Sequence, residues 1–146
     1  MRTPDEFSFD LALTHKSFDP TTISSSLSIK PSLAWKSGDP HSGSIHQISH
    51  WQGTIADGST ATEYERALRA VRSFIAQHQD FLRGFMTSGG EIELKMSFSV
   101  ELATVNDFKD GPEDPTAYRL FEVTFYPEFL EGLASMGIAL RLCIQA

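Results

Sequence analysis

Cysteine is almost missing from this chain of 146 residues, which contains only Cys143. One thiol cannot form an internal disulfide, and zinc sites built on several cysteines are excluded. Basic residues are also scarce, because 12 Lys and Arg stand against 19 Asp and Glu, for a formal net charge of −7. Nucleic-acid affinity comes from clustered Lys and Arg. The composition therefore argues against a nucleic-acid partner.

Long apolar runs are missing as well. No stretch approaches the ~20 apolar residues that a membrane helix needs, and Asp10 interrupts the first apolar stretch before a signal-peptide core could form. The apolar share of 40 % is nevertheless too high for a disordered chain. We therefore expect a single domain, residues 1–146, that is soluble, cytoplasmic and without a membrane partner.

Catalytic, cofactor and metal motifs are not found either. The glycines never fall into a phosphate-binding spacing. His46 and His50 are four residues apart, but in a strand this spacing separates them by ~13 Å, too far to share one metal easily. In the acidic loop Thr104–Thr116, Lys109 stands where a calcium loop needs an oxygen ligand. We predict no metal and no cofactor, and the chain fits a binding protein better than an enzyme.

Strict alternation of apolar and polar residues is the clearest pattern that is present. From Glu91 to Leu102 every second residue is apolar, which predicts a strand with one solvated face. Weaker alternation or short apolar patterns predict further strands at Phe7–His15, Leu33–Lys36, Ile45–Ile55, Phe121–Phe125 and Ile138–Ile144.

A helical period dominates the stretch Thr62–Ser88, where apolar residues recur at spacings of three and four. Thr62 and Glu65 fit a capping box, and a helix of this length would be ~40 Å long. Two short helices are predicted to begin at Pro20 and Pro127. The fold class is therefore α+β, with two layers: a largely antiparallel or mixed sheet of about five strands, one long helix and two short helices.

Basic residues form a stripe on the long helix, at Arg66, Arg69 and Arg72. Glu65 lies four residues before Arg69 and can pair with it. Such a stripe is ordinarily a solvated helix face, and contact with an acidic partner is the alternative.

A candidate binding surface lies before the long helix, where tryptophans occur close to charged residues. Tryptophan in this setting is enriched at binding hot spots. The second tryptophan shares its strand parity with apolar neighbours, which favours a place in the core. The candidate residues are Trp35, Lys36, Asp39, His50 and Trp51.

Several short runs stand in a characteristic order and spacing along the chain. They are Asp19-Pro20 through Ile23, Leu27-Ser28-Ile29-Lys30-Pro31, Trp35-Lys36-Ser37-Gly38-Asp39, the lone Trp51 before the long helix and Leu133-Ala134-Ser135-Met136-Gly137-Ile138. Together these runs resemble a known bacterial family, catalogued as domain of unknown function 4279. The likeness covers nearly the whole chain, although the acidic loop looks longer here than in that family. Membership implies a small stand-alone bacterial protein without an established reaction, so no catalytic residue is carried over.

Two functions remain open from the sequence. The first is a non-enzymatic binding or protein-interaction domain, immunity-like or regulatory, that masks another protein. The alternative is a small-molecule-binding domain or an enzyme, with a pocket near Trp35 and Trp51. A homodimer is a further expectation, since the terminal strand could pair at an exposed sheet edge.

Overall fold

A computed structural model describes residues 6–99 and 123–145. Within these ranges the chain forms strands and helices in an order that mixes both types from start to end. In chain order they are β1 (Glu6–His15), α1 (Pro20–Leu27), β2 (Leu33–Trp35), β3 (Pro40–His41), β4 (Ser44–Ile45), β5 (Ser49–Gly58), α2 (Ala61–Gln77), α3 (Gln79–Thr87), β6 (Glu91–Ser99), α4 (Pro127–Met136) and β7 (Ala139–Gln145).

The main sheet has five strands in the order β2-β5-β1-β6-β7. Strand β1 lies at its centre and pairs antiparallel with both β5 and β6. Strand β7 joins the far edge parallel to β6, after the chain has passed through α4, because a parallel pair needs a crossover connection. Strands β3 and β4 form a separate short hairpin. The mixed sheet with its helices confirms the α+β prediction.

The hydrophobic core lies between one face of the sheet and the helices. The alternation that predicted the strands also gives the buried face, since every second residue of β1 and β6 is buried. Helices α2 and α3 supply the opposite layer. Members of the core include Phe7, Phe9, Leu11 and Leu13 from β1, Trp51 from β5, Ile92, Leu94, Met96 and Phe98 from β6, and Leu68, Val71, Ile75, Leu82 and Phe85 from the two helices.

The predicted long helix is wrong in one respect, because it is divided into α2 and α3 at His78. This residue has φ −104° and ψ 17°, outside the α-helical region. Its backbone N–H still donates to Phe74 O at 3.0 Å, so the division is a bend in the apolar stripe. Helix α2 packs chiefly on β5 and α3 on β6. The apolar stripe thus continues on both sides of His78, with buried residues in each helix.

The start of α2 also differs from the prediction. Thr60, not Thr62, is the N-cap: its Oγ1 accepts from the Glu63 backbone N–H at 3.2 Å. The Glu63 carboxylate in turn accepts from the Thr60 backbone N–H at 3.3 Å, which completes the capping box. The predicted motif was therefore displaced by two residues.

Most other boundaries agree with the sequence patterns. Both short helices begin at the predicted prolines, and Gly137 ends α4 with a φ of 71°. The strand expected at Ile45–Ile55 is instead β4 followed by β5. Residues 123–126 form no strand, while residues 100–122, with the acidic loop and the remaining parts of two predicted strands, lie outside the described residues. In the described ranges, no helix combines the length and the apolar character that crossing a membrane requires.

Candidate functional site

The second face of the sheet carries polar side chains and is called the open face below. Buried residues of all four described helices belong to the core on the first face. Register aligns the polar residues of neighbouring strands into rows that cross the open face. One row runs Trp35, His50, Thr14, Glu91, and the next runs Leu33, Gln52, Ala12, Glu93, Ala139.

A cavity of about 620 Å³ opens in the middle of these rows. Ala12 is the reason for the depression, because a methyl group stands where its neighbours Gln52 and Glu93 have long side chains. The volume falls within the range of small-molecule sites. The residues that line it include Thr14, Ile48, His50, Gln52, Met86, Glu91, Ile92, Glu93, Lys95 and Arg141.

The charged side chains in and beside this cavity differ in whether they have a partner. Arg141 Nε lies 3.0 Å from Glu93 Oε1, an ion pair that crosses from β7 to β6. Lys95 forms no ion pair with any residue in the described ranges. Asp10 is already occupied, since it accepts hydrogen bonds from Gln52 Nε2 at 2.9 Å and Thr54 Oγ1 at 2.8 Å. Lys95 is therefore a cationic group of this cavity that has no ion-pair partner among the described residues.

Aromatic rings stack at the β2 edge of the cavity and are called the Trp35 stack: Trp35, His41, His46 and His50. Register places Trp35 opposite His50, and their rings lie 4.5 Å apart at 20°. His46 directly follows the β3–β4 hairpin, and its ring centroid lies 4.4 Å from that of Trp35, with 14° between the ring planes. The His41 ring stacks on His46 with 4.3 Å between the centroids. Trp35 Nε1 donates to Ile48 O at 3.0 Å. The indole is thus held on both its faces and its edge by short contacts rather than left free.

His50 has an unusual environment within this stack. Burial lowers the pKa of its imidazole below the ordinary 6.5, against smaller opposing effects of a Gln52 hydrogen bond and the Glu93 carboxylate. Its Nε2 atom is buried without a hydrogen-bond partner in the described part of the chain. The ring is therefore neutral near pH 7 and keeps one nitrogen for a further contact.

Comparison with protein families gives one match. A family model described as Domain of unknown function (DUF4279) matches residues 5–146. This chain belongs to the DUF4279 family. Comparison with curated proteins and with solved structures found no match. The family description names no ligand, so the function of this DUF4279 protein has to be inferred from the geometry above.

The sequence candidates are only partly brought together in the DUF4279 fold. Trp35 and His50 meet in the Trp35 stack. Lys36 and Asp39 shape a turn, where Asp39 Oδ2 accepts from the Lys36 backbone N–H at 2.8 Å. The Lys36 Nζ lies 3.9 Å from Asp19 Oδ2, and neither residue lines the open-face cavity.

Trp51 lies on the opposite side of β5, inside the core. Its side chain is 0 % exposed, and Nε1 donates to Ser24 Oγ of α1 at 3.0 Å. Within the described residues, Trp51 in the core and Trp35 on the open face therefore do not line a common pocket, which differs from the arrangement expected for the alternative function. Strand parity, which grouped Trp51 with Ile45 and Ile55, therefore predicted the core position of Trp51 correctly.

Several residues of the site were missed by sequence reasoning. Glu93 and Lys95 were recognised on the wet side of their strand, but nothing local shows which strands lie beside it. Gln52 and Arg141 join them only through register. In residues 6–99 and 123–145, no group of three His, Cys, Asp or Glu side chains is placed to hold a metal ion.

Proposed function

We propose that this DUF4279 protein is a non-enzymatic binding module that recognises a protein partner through a surface centred on Trp35. The observation that carries this proposal is a group of exposed apolar side chains next to the Trp35 stack. Leu33 is 47 % exposed, Ile45 52 % and Ile48 45 %. Together with Trp35 these three residues are called the Trp35 surface.

The neighbourhood of these residues follows from chain geometry and contacts. Leu33 shares a face of β2 with Trp35, and Ile48 accepts the indole hydrogen bond. Ile45 directly precedes His46, which stacks on the indole. Interface centres are enriched in Trp surrounded by apolar contacts. A side chain that is already ordered loses little conformational entropy on binding, which supports the use of Trp35 as an anchor.

Charge supports a basic surface on the partner. The chain carries a formal net charge of −7, which attracts cationic surfaces over long distances and repels acidic ones. Such a module would act by masking a basic functional surface of another protein, in an immunity-like or regulatory role. We include the bacterial cytoplasm in this proposal, because the single Cys143 offers no internal disulfide.

Affinity capture with the tagged full chain tests the proposal. We expect reproducible recovery of one partner, and loss of that partner with Trp35→Ala, because the anchor is truncated. Leu130→Ala is the matched control, since Leu130 is an exposed apolar residue of α4 away from β2. Equal recovery by Trp35→Ala and the native chain would contradict the proposal, as would the absence of any reproducible partner.

A polar small molecule in the open-face cavity is the second candidate function. The observation in its favour is a cavity of about 620 Å³ that is lined by His50 and Lys95, since neither His50 Nε2 nor the Lys95 ammonium has a partner among the described residues. Nuclear magnetic resonance titration with free amino acids would shift Thr14 and Gln52 if this is correct. Lys95→Met would weaken the shifts and the exposed Lys30→Met would not; unshifted spectra would remove this candidate.

A homodimer through β7 is also proposed. Among the described strands, β7 is the last in the sheet order, and Leu142 and Ile144 on it are exposed. Edge strands offer backbone groups for pairing with another chain. Light scattering at high protein concentration should give the dimer mass, and a monomer mass would exclude the dimer.

A further inference from the structure

A second cavity lies in the helical layer, between α2, α3 and α4, and is called the helix cavity. Its volume is about 160 Å³. It shares no residue with the open-face cavity. The residues around it are Arg72, Ile75, Ala76, Gln79, Phe129, Gly132, Leu133, Ser135 and Met136.

The volume and the lining of the helix cavity determine the size and the polarity of the ligand group that it can hold. Ile75, Phe129, Leu133 and Met136 are buried side chains of the core, so the inner wall is apolar. A dry apolar cavity of about 150 Å³ is large enough to hold benzene. The helix cavity can therefore take one aromatic ring or a branched aliphatic chain of similar volume.

Among the described residues that line the helix cavity, Arg72 alone carries a formal charge. It is exposed and makes no ion pair with any residue in the described ranges. It also borders a neighbouring depression of about 240 Å³, where Glu65 and Glu128 lie. Those two carboxylates do not line the helix cavity. An anionic group in the cavity would thus meet an arginine that forms no ion pair with the described residues.

Gly132 keeps the wall of the cavity open. A Cβ atom built at this position meets nothing within 4 Å, so no close approach of backbone or side chain requires a glycine here. Glycine inside a helix also weakens it relative to alanine. The residue leaves space in the cavity wall at a cost to α4, and a larger side chain there would occupy that space.

We propose that the helix cavity binds a small aromatic or branched aliphatic monocarboxylate. The apolar body lies against Ile75, Leu133 and Met136, and the carboxylate pairs with the Arg72 guanidinium, whose planar donors match its geometry. This site is independent of the Trp35 surface and of the partner proposed for it. Failure of one leaves the other standing.

Isothermal titration calorimetry of the full chain with benzoate, phenylacetate and 3-phenylpropionate tests the charge requirement. We expect saturable binding of at least one of them and about tenfold weaker binding of its amide, because a charge-assisted hydrogen bond is lost. Arg72→Gln should weaken carboxylate binding by a similar factor. Arg66→Gln is the matched control on the same helix, outside the cavity, and should bind as the native chain does.

Filling the cavity tests its location. Gly132→Leu should abolish binding while the thermal midpoint stays the same or rises. Gly84→Leu is the control, because Gly84 is also a helical glycine with open space at Cβ but lies outside the cavity. The proposal is overturned if none of the three carboxylates binds saturably, if the amide binds as tightly as its acid, or if Gly132→Leu binds like the native chain. If Gly132→Leu does not fold, the Arg72→Gln and Arg66→Gln comparison decides.

Discussion

At the scale of single residues, the structural role of a side chain depends more on its burial than on its residue type. Two tryptophans of similar sequence context have opposite roles, since Trp51 is a core residue bonded to Ser24 whereas Trp35 is half-buried at the rim of the open face. Strand parity predicted the core position of Trp51. It could not predict the Trp35 stack, because His46 reaches Trp35 through a hairpin whose turn geometry is not visible in apolar periodicity.

The first prediction concerns His50 and pH. Its folded pKa is lowered by burial from 6.5, so the unfolded chain takes up this proton more readily than the folded one. The contribution of His50 to stability is therefore complete above the unfolded pKa and is lost as the pH falls through the interval down to the folded pKa. We expect urea denaturation of His50→Gln to show a smaller loss of unfolding free energy over this interval than the native protein.

His41→Gln is the control for this measurement, because His41 is the exposed outer member of the Trp35 stack. Its pH dependence should follow the native protein. Identical slopes for His50→Gln and the native chain between neutral and mildly acidic pH would show that burial of His50 is not the source of the effect.

At the scale of elements, the helix ends that depend on local residue chemistry were predicted correctly from the sequence. Asp19 before Pro20 starts α1, and its side chain accepts from the Thr21 backbone N–H at 2.9 Å. Gly137 ends α4 as predicted. The division of the long helix at His78 was not predictable, since the apolar period continues through it. The two helices pack on different strands, and which strands lie beneath them depends on tertiary packing.

The second prediction separates the two candidate caps of α2. Thr60→Ala removes the hydroxyl that accepts from the Glu63 N–H and should lower the unfolding free energy by about 1 kcal/mol. Thr62→Ala, at the position that the sequence pattern favoured, removes no cap bond and should change stability by less than about 0.5 kcal/mol. Chemical denaturation of both variants measures the difference. Equal losses, or a larger loss for Thr62→Ala, would contradict the observed capping box.

At the scale of the whole molecule, composition and periodicity were enough for the class of fold but not for the site. Alternation in β1 and β6 predicts which side chains point away from the core. It cannot predict that Thr14 is flanked by His50 and Glu91, because strand order and register arise from tertiary packing. The sequence shows each residue of the cavity separately, but it does not predict that five neighbouring elements bring these residues together around one cavity.

The open-face cavity and the helix cavity depend on one feature of the architecture, namely that helices α2 and α3 are packed firmly on one face of the sheet. That packing buries the core and leaves the open face to the Trp35 stack and its cavity. It also creates the helix cavity, since α4 lies beside α2 and α3. Loosely attached helices would remove both sites together.

Native-state hydrogen exchange of the full chain measures this packing most directly. Backbone amides in the hydrogen-bonded positions of α2, α3, β1 and β6 should exchange slowest, at rates that report global unfolding, because these elements bury the core residues. Amides of the short β3–β4 hairpin should exchange faster. Exchange of the α2 amides at the rate of an unfolded chain would contradict the packing on which both binding sites depend.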